Sequence, residues 1–151
     1  MEEIVNNAEV RVWFAGLERP YSLNSPFGNE DYVTLLVVND TTITPNEQAH
    51  TSDQLVGSSC RYAVCTGHQC SSWDDSIDMA FIESDPNFDP PDERFVMTTW
   101  HEDEPIEDLV EYLRWSTVFD DFVPKNFLVL FLGESPHLQK RALEAALHLF
   151  S

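Results

Sequence analysis

Cations are scarce in this chain. Of its 151 residues, 8 are Lys or Arg against 27 Asp and Glu, a formal net charge of −19, and only Lys125 and Lys140 are lysines. Phosphate backbones are held by clustered cations, so the composition argues against DNA or RNA as a partner. An anionic membrane surface is disfavoured on the same ground. Long hydrophobic runs are missing too. The longest, residues 127–132 (FLVLFL), falls far short of the ~20 residues a membrane helix needs. The amino-terminal MEEIVNNAEV is acidic and lacks the basic and apolar regions of an export signal. Three cysteines is an odd count, which together with that terminus leads us to expect reduced thiols, no disulfide and a cytoplasmic location. Glycine is sparse, at five. Neither GxGxxG, GxxxxGK[ST] nor GxSxG occurs, so no phosphate-cradling loop or nucleophile elbow is expected, and no cofactor.

What the chain does have is enough apolar material for one domain spanning residues 1–151. Hydrophobic residues make up 42%, and 18 residues are aromatic, ten of them Phe. Four β-rich runs stand out: residues 32–39 (YVTLLVVN), 61–65 (RYAVC), 95–100 (FVMTTW) and 127–132. Nearly continuous apolar character predicts strands buried on both faces. Residues 10–14 (VRVWF) alternate apolar with polar and read as an edge strand. Helical patterns separate the runs. Ser72 and Asp75 resemble a capping box ahead of an apolar face of Trp73, Ile77, Ala80 and Phe81. Pro105 fits a first helical position before Ile106, Leu109, Val110 and Leu113, and Ser135-Pro136 opens a last helix. A weaker helix is expected over residues 45–56, and surface loops over 20–29 and 85–94. Strands alternating with helices predict a small three-layer α/β sandwich with a mainly parallel sheet, Rossmann-like but without a nucleotide motif.

Ligands of such sheets bind outside the carboxyl ends of the strands. Those ends carry Asp40, the segment His68-Gln69-Cys70, the segment His101-Glu102-Asp103-Glu104, and Gly133. Cys65, His68, Cys70 and His101 form a soft set that would suit zinc. The paired Cys-x2-Cys knuckles of structural zinc sites are missing, and Cys65 should point into the core, so no metal site is expected. As an alternative, a small enzyme would use Cys70 as nucleophile with His68 or His101 as base and Glu102 beside them, in hydrolysis or thiol chemistry. The carboxylates nearby oppose this by raising the thiol pKa. Glu102, Asp103 and Glu104 before Pro105, and Asp74 and Asp75 after Ser72, read as helix caps.

The negative charge is uneven. Residues 71–123 hold sixteen acidic residues and only Arg94 and Arg114, a net of −14, while the other 98 residues carry −5. A surface of one sign repels itself and calls for a reason. Aromatic residues interleave these acids, as at the centre of an interface. We expect Glu104, Glu107, Asp108, Glu111, Asp120 and Asp121 to contact a partner, with Trp115 as an aromatic anchor. Phe119 and Phe122 have the plainer reading of plugging the sheet between helix and strand.

Residues 100–133 (WHEDEPIEDL…FDDFVPKNFLVLFLG) and 60–78 (CRYAVCTGHQCSSWDDSID) together resemble a bacterial family of uncharacterised acidic α/β proteins, a domain of unknown function. That resemblance implies the fold and assigns no activity to any residue. In size and charge the chain is also similar to the immunity proteins of bacterial toxin systems. The expectation is an acidic interaction protein, an immunity protein or inhibitor that neutralises a basic partner such as a nuclease toxin.

Overall fold

The apolar runs pair into one six-stranded sheet in the computed structural model, which covers residues 1–151. The strands are β1 (Glu2–Asn6), β2 (Arg11–Leu17), β3 (Tyr32–Val38), β4 (Cys60–Gly67), β5 (Met97–His101) and β6 (Asn126–Leu132), in the spatial order β1-β2-β6-β3-β4-β5. Every pairing is parallel except β1 with β2. The four strong runs are contiguous in the sheet, but only three are buried on both faces: the run at 95–100 supplies the edge strand β5, none of whose residues is buried. All seven residues of β3 and all seven of β6 are buried.

Four helices complete the layers: α1 (Pro45–Gly57), α2 (Cys70–Glu83), α3 (Ile106–Trp115) and α4 (Pro136–Phe150). Steps from β3 to β4 to β5 move one way across the sheet, and the step from β5 to β6 returns past β3. Right-handed crossovers therefore put α1 and α2 on one face and α3 on the other, and α4 packs in the α3 layer through Ala142, Ala146 and Phe150. Alternate side chains of β3 feed the two layers. Tyr32, Leu36 and Val38 join Leu55, Trp73 and Ile77 on one side, and Val33, Leu35 and Val37 join Leu109, Leu113 and Phe127 on the other. Each such Leu or Phe contributes about 1.5–3 kcal/mol on burial. The loop over residues 20–29 is not a mere surface connection: Tyr21, Leu23 and Phe27 are buried in the α1/α2 layer. No helix is long and apolar enough to cross a membrane.

Local readings differ from expectation at several points. The run 10–14 lies one strand in from the edge. The edge is β1, whose EEIVN carries too little apolar signal to announce a strand. The fifth strand begins at Met97, and Phe95 ahead of it is exposed. Helix α2 starts two residues earlier than Ser72, because Gln69 takes a left-handed φ of 53° and ends the turn there. Ser72 is thus inside the helix, where its hydroxyl accepts from Gln48, and caps nothing. Asp74 and Asp75 lie beyond the first turn. Conversely α1, the weakest pattern, has a full capping box between Thr44 and Glu47.

Candidate functional site: the strand-end rim and the acidic face of α3

The rim at the carboxyl ends is closed largely by the chain itself. In this topology the crossover direction reverses between β3 and β6, where a ligand crevice would open. Gly67 and Gly133, with φ of 92° and 90°, pass so near the turn after β3 that an added Cβ would fall 2.2 Å from the Val38 carbonyl oxygen and 2.8 Å from the Asp40 nitrogen. Beside them Tyr21 donates to Asp40, and Arg19 donates to Glu47 at 2.6 Å and to the Thr42 carbonyl at 3.0 Å. Hydrogen bonds from the Thr42 hydroxyl, from Tyr21 and from the Thr42 amide hold the Asp40 carboxyl down at about 2. Burial, reinforced by Asp40, pushes the Tyr21 phenol up to about 12. The remaining hollow, between Asp40, Gln48, His68 and Trp73, has about 170 Å³, well below the roughly 300–1,000 Å³ of typical ligand pockets.

Cys70, His68, His101 and Glu102 do share this rim, on the neighbouring strands β4 and β5 and the start of α2, but they do not assemble. Cys70 is buried, and its thiol points to the backbone carbonyl of His101 at 3.7 Å. Burial first and Glu102 second push that thiol up. The His101 imidazole faces the other layer. Its Nδ1 pairs with Glu104 at 2.6 Å, its Nε2 with Thr99 at 3.0 Å, and its ring meets Tyr112 edge-on at 4.8 Å. Both ring nitrogens are engaged away from the sulfur, so no nucleophile–base pair forms. His68 is exposed and lines the small hollow instead. Cys65, His68, Cys70 and His101 do not converge as ligands. Only Asp74, Asp75 and Asp78 bring three potential ligand atoms within 4.8 Å of one another. All three cysteines are free and buried.

The acidic residues of α3 separate into two groups. Glu104 is tied to His101 rather than capping the helix, and α3 has no side-chain cap at all. Glu107 receives two hydrogen bonds from Arg141 on α4, one of them at 2.7 Å, which hold its carboxyl at about 2. These two carboxylates therefore brace the fold. Asp108 and Glu111 have no ion pair and, with Tyr112, Trp115 and Ser116, line a shallow recess of about 230 Å³. Trp115 is 61% exposed. The Arg114 guanidinium covers one face of its ring at 4.3 Å and leaves the rest open. Beyond the helix, Asp120 and Asp121 form an exposed turn between Phe119 and Phe122, which bridge and pack against Arg61. The plug reading of those two Phe holds.

The model of a family described as a domain of unknown function, DUF7684, matches residues 12–148. The chain belongs to that family. The match extends well toward the amino terminus of the two blocks that carry the resemblance in the sequence. Comparison with curated proteins and with solved structures gives no match. Within this DUF7684 domain, the Arg19–Asp40–Tyr21 network is not legible in the sequence, because Asp40 follows β3 and lies 19 and 21 positions from Tyr21 and Arg19, which sit in a loop with no periodic pattern. Of the carboxylate cluster Asp74-Asp75-Asp78, Asp74 and Asp75 read as caps in the sequence and Asp78 has no role there. Its i, i+4 spacing on a helix was the available signal.

Proposed function

We propose that this DUF7684 protein is a bacterial cytoplasmic interaction protein that binds a strongly basic protein, in the manner of an immunity protein neutralising a nuclease toxin. The observation that carries the reading is the distribution of ion pairs. Outside residues 71–123, six of eleven carboxylates lie within ion-pair distance of an arginine: Glu3, Glu9, Glu30, Asp31, Asp40 and Glu47. Inside that segment only Glu107 of sixteen does so, with Arg141, while Glu104 pairs with the imidazole of His101. Most carboxylates of this segment thus have no cation, and two of them, Asp108 and Glu111, share a recess with the exposed Trp115 indole, an arrangement suited to steering a cationic partner and then anchoring it. Nuclease surfaces that hold phosphate are basic, so an acidic inhibitor can occupy the same surface.

Asp108, Glu111, Asp120 and Asp121 are the contact residues of this proposal, with Trp115 as an aromatic anchor beside the first two. Affinity capture from extract of the source cell at low salt tests it. The wild-type chain should retain a basic protein that its Asp108→Asn/Glu111→Gln/Asp120→Asn/Asp121→Asn variant loses. Identical captures on both chains would remove the proposal.

A further inference from the structure

The sheet has two edges, and they are built differently. β1 carries Glu2 and Glu3, and its register shifts between Glu3 and Val5. Charge and irregularity of this kind keep an edge from pairing with another strand. β5 has neither. Its residues, MTTWH, include no Pro, Lys or carboxylate, and its register with β4 is unbroken. Outside that ladder no backbone group of Met97–His101 makes a backbone hydrogen bond. None of its five residues is buried, and Trp100 is 49% exposed.

The two sides of this bare edge are both negative. On α2, Ser72 and Ser76 turn toward α1 through Gln48 and Ser52. Asp74 and Asp78, on the opposite side of the helix, turn toward β5, where Thr98 donates to Asp78 at 2.6 Å. On the other layer Tyr112 stacks against His101 and brings the recess of Asp108 and Trp115 to the same edge. Side chains of an added strand would alternate between these two rows.

We infer that the open edge of β5 takes an added strand from the partner, an extended segment bearing Lys or Arg on both faces. Backbone hydrogen bonds supply the pairing, and the two carboxylate rows select cations. A second copy of this chain is the wrong occupant, because it would set like-charged rows against each other. The inference rests on the proposed basic partner and goes further by naming where and in what conformation it docks.

The probe is a short peptide of repeating Lys-Lys-Val-Val, which puts lysine on both faces of an extended strand, titrated into the full chain while amide hydrogen exchange is followed. Amides of β5 should become protected. Methylating alternate peptide nitrogens keeps every charge but removes two or three backbone hydrogen bonds, and should weaken binding roughly tenfold to a hundredfold. A glutamate–valine peptide should not bind. Equal affinity of the methylated and unmethylated peptides, with β5 unprotected, would overturn the edge inference and leave the acidic-face proposal standing. Protection of β5 that grows with protein concentration alone would also overturn it, assigning the edge to a second copy.

Discussion

The amino-terminal third and the central segment of this molecule handle negative charge in opposite ways. In the first third, most carboxylates lie within ion-pair distance of an arginine. Arg19 gathers Asp40, Glu47 and the Thr42 carbonyl, Arg11 takes Glu3, and Arg61 reaches Asp31. Between residues 71 and 123 the fold ties down Glu104 and Glu107 and leaves Asp108, Glu111, Asp120 and Asp121 facing water without a cation. Both regions share one hydrophobic sheet, so the contrast does not come from burial. It shows that a charge total alone is a poor guide: −19 divides into carboxylates that hold the structure and carboxylates available to something else.

Helix α3 gives the sharpest way to separate those roles, because they alternate along one helix. Leu109 is 1% exposed in the α3/α4 layer, and Leu109→Ala should cost about 2–5 kcal/mol in denaturant unfolding. Its neighbour Asp108 points outward, and Asp108→Asn should stay within about 0.5 kcal/mol. Equal costs at the two positions would mean that the outer face is structural as well.

The next effect is kinetic. The fourfold amide variant at Asp108, Glu111, Asp120 and Asp121 should keep its fold and slow association with the proposed basic partner by about one to two orders of magnitude. Glu107→Gln breaks the contrast from the other side. It should lower the melting temperature through the lost Arg141 pair and leave association nearly unchanged, since Glu107 already has its cation.

Acid titration separates the two classes of carboxylate with smaller signals. Asp40 and Glu107 sit at about 2 in the folded chain and near 3.9–4.3 when unfolded. Their contribution is therefore present above pH ~4 and disappears as pH falls toward 2. Asp74 has the opposite sign. Burial pushes its carboxyl up, and one of its oxygens is buried with no hydrogen-bond partner. A raised folded pKa favours the fold below the unfolded value and disfavours it as pH rises through the folded one. Asp74→Asn should accordingly raise the melting temperature at pH 7, with the gain shrinking below pH ~4. A gain that persists unchanged at pH 3 would remove the burial explanation.

The architecture was largely readable because continuous runs such as YVTLLVV and NFLVLFL have no stable place except inside a parallel sheet. The stripe of Ile106, Leu109, Val110 and Leu113 is buried as its spacing predicts. Local endpoints were not readable. Gln69 starts α2 through a backbone conformation that its residue type does not announce, and β1 is a strand only because β2 is there to pair with it. The rim failed as a reacting cluster for a reason invisible in one dimension. Neighbouring positions such as Cys70 and His101 come together through a backbone carbonyl, while the imidazole turns to the opposite face of the sheet. Which acidic residues already hold a partner was likewise hidden, since Arg141 lies 34 positions from Glu107.

The most direct measurement is the association rate constant of the captured basic partner across a salt series, for the wild-type chain and the fourfold amide variant. A steered encounter predicts a steep fall with rising ionic strength for the wild type, a flatter and lower line for the variant, and convergence of the two at high salt. Two superimposed lines with no salt dependence would contradict the account and leave the unpaired carboxylates without a binding role.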